Sequence, residues 1–112
     1  MFKTQEVNGI MEVHPQELST HLKEAVLIDV RRPDEYVGEL GHIEGSLLVT
    51  LGPDLDAHMK TLRKDQVIVF ICRSGARSGH ATMFCQDQGY QKVFNMTGGM
   101  ILWNQLGLPI QK

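Results

Sequence analysis

Val67-Ile68-Val69-Phe70-Ile71 is an unbroken apolar run, and the residues after it sharply limit the folds open to the chain. A run with no polar alternate face suits a central parallel strand covered by helices on both sides. Six residues follow, Cys72-Arg73-Ser74-Gly75-Ala76-Arg77, and then a helical pattern with Ser78 as its expected N-cap. Ala81, Phe84 and Cys85 stand at i, i+3 and i+4, which predicts one apolar helix stripe. Gly89 sits where a left-handed C-cap is wanted. Strand, tight loop and helix together deliver a cysteine to the mouth of a helix.

That placing has chemical consequences. The amides of a short loop curling into a helix start can converge on one point, and the helix dipole adds to their pull on an anion. Gly75 can take backbone angles that a side chain forbids. Arg73 and Arg77 add positive charge. Each of these favours thiolate over thiol, so Cys72 is the candidate nucleophile. A strand-end cysteine buried only for packing would leave the two arginines, the glycine and the cap unexplained.

The rest of the chain alternates strand and helix signals. Strands are predicted at Gly9–Val13, Val26–Val30, Leu47–Leu51 and Lys92–Asn95, beside the central run. Pro15, Pro33 and Pro53 each suit the first position of a helix. A last helix runs from Gly99 to Leu106. This order predicts an α/β fold with a mostly parallel sheet, in which ligands bind outside the carboxyl ends of the strands. Cys72 lies at such an end. Residues 1–8 are polar and expected to be loosely held; residues 9–112 read as a single domain.

Composition excludes more than it selects. A formal net charge of −2 offers no case for nucleic acid. Two cysteines do not suggest a disulfide framework, and Cys85 reads as a core residue of its helix stripe. The first residues, MFKTQEVNGIMEVH, hold no apolar run fit for a signal peptide, and no later segment reads as spanning a membrane. The reading is therefore cytoplasmic. The five histidines show no metal spacing, so no metal is expected. Asp29, alone in an apolar strand, reads as a buried acceptor for backbone amides and nearby arginines. His80 reads as exposed and Trp103 as a core anchor.

Three motifs in order carry a family resemblance. Cys72-Arg-Ser-Gly-Ala-Arg-Ser78 resembles the active-site loop of the rhodanese family of sulfurtransferases. Upstream, Leu27-Ile-Asp-Val-Arg31, Pro33-Asp-Glu-Tyr36 and Gly41-His-Ile-Glu-Gly-Ser46 are similar to the family's first segment. Downstream, Val93-Phe-Asn-Met-Thr-Gly-Gly-Met100, Trp103 and Gly107-Leu-Pro109 are similar to its closing one. The resemblance implies a three-layer sandwich with a mostly parallel five-stranded sheet, the strand before Cys72 central, and helices on both faces. It implies Cys72 as the persulfide-forming residue, Arg73, Ser74, Gly75, Ala76, Arg77 and Ser78 as the substrate-binding loop, and no need of a cofactor. Asp29, Arg31 and Glu35 are implied as supporting residues, with Arg31 and Glu35 forming a structural pair. Met96, Met100 and the Thr97-Gly98-Gly99 turn are implied to line the mouth of the pocket.

By the same resemblance, sulfane sulfur passes from thiosulfate or a similar anionic donor to cyanide or a thiol, with thioredoxin or a sulfur-relay protein among the acceptors. The alternatives are a persulfide carrier serving one protein partner, a non-catalytic binding module, and a phosphatase or arsenate reductase on a loop of the same type. Ser46 and the Leu48–Gly52 stretch depart from the family pattern and bear on donor preference more than on fold.

Overall fold

The computed structural model describes all 112 residues. Its elements are β1 (Gln5–Val7), β2 (Ile10–Val13), α1 (Pro15–Ser19), a 3-10 turn (Leu22–Glu24), β3 (Val26–Asp29), α2 (Pro33–Tyr36), β4 (Leu47–Leu48), α3 (Pro53–Met59), β5 (Val67–Ile71), α4 (Ala76–Asp87), β6 (Lys92–Met96) and α5 (Gly99–Gln105). They build one six-stranded sheet in the order β1-β2-β6-β5-β3-β4. Only β1 and β2 pair antiparallel; the remaining pairs are parallel. No helix is long and apolar enough to cross a membrane.

Alternation along β5 explains the layers. Val69 and Ile71 pack on one face with Leu18, Met100 and Trp103, the buried side chains of α1 and α5. Ile68, Phe70 and Cys72 pack on the other with Leu55 and Met59 of α3 and Ala81 and Cys85 of α4. A strand buried on both faces must be apolar throughout, as β5 is. Cys72 continues the alternation by one residue and therefore lies on the α4 side. Trp103 is buried as expected, and its indole N–H donates to the Pro109 carbonyl at 2.9 Å.

Five sequence expectations change. The sheet has six strands rather than five, because residues 5–7 fold back on β2. The start of the chain is built in: Phe2 is only 4% exposed and meets Phe94 edge-on at 5.3 Å between ring centres. The turn is Asn8-Gly9, both at positive φ (51° and 87°), the pairing a tight hairpin demands. Helix α4 starts at Ala76, so its N-cap is Gly75 at φ 100° and Ser78 lies within the first turn. The buried stripe of α4 is Ser78, Ala81, Thr82 and Cys85, whereas Phe84 is 53% exposed. Finally, β4 keeps only two ladder residues, although the Val49 and Leu51 amides still donate to the Asp29 and Val30 carbonyls.

Candidate active site

Cys72 stands one residue beyond β5 and is 1% exposed. Its Sγ accepts the Gly75 N–H at 3.0 Å and faces the Ser78 hydroxyl at 3.2 Å. The amides of Ala76, Arg77 and Ser78, in the first turn of α4, have no intrahelical acceptor. Sulfur, free amides and helix N-terminus thus lie within one turn of chain. The arrangement suits a negative charge carried on or just beyond Sγ.

A second helix shapes the loop from outside. In the first turn of α5, the Met100 N–H donates to the Cys72 carbonyl at 2.8 Å and the Ile101 N–H to the Arg73 carbonyl at 3.0 Å. The contact requires bare backbone: a Cβ on Gly99 would lie 2.5 Å from the Arg73 carbonyl and from the Cys72 oxygen. The Gly98-Gly99 pair is thus a docking surface for the loop. Met96 and Met100 belong to the core on the other face of the sheet and are fully buried, so they do not line the pocket mouth.

The charged residues divide into two clamps and one free cation. Asp29 and Arg31 form a wholly buried pair, with Arg31 Nε and Nη2 donating at 2.9 and 2.8 Å and the Arg31 amide at 3.1 Å. Arg31 also donates to the carbonyls of Gly41 (2.7 Å) and Glu35 (3.2 Å). The expected structural pair of Arg31 and Glu35 is thus made only through the Glu35 backbone carbonyl, and no ion pair joins the two side chains. A carboxylate two residues away on the same strand end captures Arg31, and only the Glu35 backbone touches it. The Glu35 carboxylate instead holds Arg77 through two bonds, at 2.7 and 2.8 Å. Those bonds pull its pKa from 4.5 to about 2, against the opposing effect of burial; the Arg32 amide also helps. Arg77 is raised in turn, chiefly by Glu35.

Arg73 is exposed and pairs with no carboxylate. It borders a hollow of about 160 Å³ together with Arg31, Glu35 and Leu40. Ser74 is exposed, Gly75 half-buried and Ala76 exposed, so the loop's outer rim faces solvent. His80 is exposed on α4. Burial pushes the Cys85 thiol up to about 11, which keeps it an uncharged core side chain near neutrality.

Asn95 and Glu12 escaped the sequence reading. Asn95 lies on β6 beside Phe70 of β5, is 2% exposed, and accepts the Ser78 hydroxyl on Oδ1. Its Nδ2 donates to the Gly75 carbonyl at 3.0 Å and to Glu12 Oε2 at 2.9 Å. Glu12 Oε1 accepts the Thr97 hydroxyl at 3.0 Å. The available signal was a lone amide in the apolar run Val93-Phe94-Asn95-Met96, the same signal that singled out Asp29.

Residues 14–106 match the model of the rhodanese-like domain. A sulfurtransferase of Allochromatium vinosum is 36% identical over 104 residues, covering 90% of this chain and 94% of its own. The thiosulfate sulfurtransferase GlpE of Vibrio cholerae is 26% identical over 101 residues, covering 90% and 92%. Among solved structures, a rhodanese-related protein of Thermoplasma volcanium superposes with a TM-score of 0.77 at 28% identity, covering 88% of this chain and 94% of that one.

Proposed function

Because the chain belongs to the rhodanese-like domain family, we propose that it moves sulfane sulfur from thiosulfate, or a donor of the same anionic kind, to a thiol or to cyanide through a persulfide on Cys72. The observation that carries this reading is the Cys72 sulfur facing the Gly75 N–H and Ser78 hydroxyl at the mouth of α4. In the first half-reaction the thiolate attacks the outer sulfur of the donor. The donor's S–S bond breaks, and its electron pair leaves with sulfite. In the second, a nucleophilic acceptor attacks the outer sulfur of the persulfide, and the pair returns to Cys72 Sγ. The first-turn amides serve the persulfide anion as an oxyanion hole serves oxygen. Arg73 draws in the donor, and Arg77, occupied by Glu35, gives the loop its shape. The cellular acceptor is a small thiol or a thioredoxin-like protein, and the setting is a reducing compartment such as the cytoplasm, where a free thiol survives.

Loop length supports sulfur over phosphorus chemistry. Cys72 to Arg77 spans four intervening residues. A persulfide places one atom among the amides, whereas a tetrahedral phosphoryl group brings three further oxygens, each needing a donor at about 2.7–3.2 Å. Intact-mass measurement after treatment with thiosulfate tests the reading. The wild type and Cys85→Ser should gain about 32 Da, one covalent sulfur, and Cys72→Ser should gain nothing. Thiosulfate:cyanide turnover that survives in Cys72→Ser would end it. Cys72-dependent hydrolysis of an aryl phosphate at a rate comparable with sulfur transfer would give the site to phosphorus.

A further inference from the structure

Ser78 has one hydroxyl hydrogen and two acceptors for it. One is Cys72 Sγ at 3.2 Å; the other is Asn95 Oδ1. The hydroxyl is fully buried, so no bulk water can supply a substitute donor to either. The orientation of the Asn95 amide is chemically fixed. Its Nδ2 faces two groups that only accept, the Gly75 carbonyl and the Glu12 carboxylate, which leaves Oδ1 toward Ser78. Glu12 stands beside Asn95 across the β2–β6 ladder and is itself tied to Thr97. One hydrogen therefore has to be shared between a neutral oxygen of constant strength and a sulfur whose charge changes during turnover.

Resting on the sulfur-transfer reading, we propose that the Ser78 hydroxyl is a single-hydrogen switch. It donates to Asn95 while Cys72 Sγ is neutral, as thiol or as the inner atom of a persulfide, and it turns onto Sγ as charge develops there. Ser78 touches the reacting atom and is catalytic; Asn95 is a positioning residue that receives the hydrogen between turnovers. In discharge of the persulfide, the acceptor attacks the outer sulfur, the S–S bond breaks, and the electron pair goes to Sγ. Ser78 then donates to the departing thiolate, its own O–H bond staying intact. No oxidant or reductant enters beyond donor and acceptor.

The two half-reactions respond to this switch in opposite ways. Discharge builds charge on Sγ, so a donor that follows the charge lowers its barrier. Loading removes charge from Sγ, so a hydroxyl donating to the preformed thiolate opposes the attack and has to be handed back to Asn95. Single-turnover measurements separate the steps: loading with thiosulfate followed by mass, then discharge of the isolated persulfide by cyanide. Both are run at a pH where iodoacetamide alkylation of Cys72 has reached its plateau in each variant. For Ser78→Ala, discharge should slow on the order of tenfold while loading by the preformed thiolate should not slow. For Asn95→Leu, which leaves the hydroxyl only sulfur to serve, loading should slow and discharge should not. Equal slowing of both steps in Ser78→Ala, or discharge at the wild-type rate, would overturn the switch. Ser78→Ala decides alone if Asn95→Leu does not fold. A wild type that never gains the sulfur atom would instead remove the sulfur-transfer reading itself.

Discussion

Two arginines four residues apart in one loop have different employment. Arg77 is committed to Glu35 by two bonds, while Arg73 projects into solvent without a carboxylate. Arg73→Ala should therefore raise KM for thiosulfate and leave the melting temperature unchanged. Arg77→Ala strands a mostly buried carboxylate, and should cost about 1–2 kcal/mol, between the values for exposed and buried pairs. Thermal melts beside steady-state kinetics check both, and equal melting temperatures would refute the division. The same bridge gives a pH dependence. Glu35 is held at about 2 instead of 4.5, so its contribution to stability is complete above about 4.5 and fades as pH falls toward 2. Urea unfolding across that window should show a loss in wild type that is reduced in Glu35→Gln. The buried Asp29 was legible as a polar residue in an apolar strand. Its partner was harder to read, because Arg31 and Arg77 are the same residue type, and only the tertiary approach of α2 to α4 assigns each its carboxylate.

Among elements, the helix after the loop was legible in type and extent but not at its first turn. Its glycine takes the capping position because the chain must turn through a left-handed residue to bring the Gly75 N–H onto sulfur. Ser78, a sound N-cap by propensity, is drawn inward by Asn95, a contact across 17 residues that no local pattern encodes. Helix α5 makes a sharper test. Its Gly99 has φ 59° and no room for a Cβ against the backbone of Cys72 and Arg73. Gly99→Ala should destabilise by about 2–3 kcal/mol, as overpacking does. It should also slow sulfur transfer by displacing the loop carbonyls from the Met100 and Ile101 amides. Calorimetry with the single-turnover loading assay would show whether both fall together. A variant that melts like wild type would mean that α5 does not set the loop.

At the scale of the whole molecule, the order of strands and helices from β2 to α5 could be read from apolar runs and prolines. The sixth strand could not be read from composition, since one buried aromatic is invisible in an average over eight mostly polar residues. The Asn8-Gly9 turn was the local mark of that hairpin. Phe2 closes the core on the α1–α5 side, against Phe94. Phe2→Ala should cost about 3 kcal/mol, a fall in melting temperature of roughly 12–24 °C for a domain near this size. Removing residues 2–8 should do at least as much and also bare the free edge of β2, which size-exclusion chromatography would register as self-association.

The near-complete enclosure of the Cys72 sulfur, with 1% of the residue exposed, sets what a visiting molecule can meet. A second sulfur would extend the side chain by about 2 Å, the length of an S–S bond. That is enough to carry the terminal atom from the wall of the loop toward its opening while the attachment point stays inside. A blunt reagent, such as a maleimide on a polymer chain, would then find little to react with on the empty protein and a sulfur nearer the opening on the loaded one. Cargo and carrier would be told apart by reach alone, and a partner would need no means of recognising the charged state other than touching it.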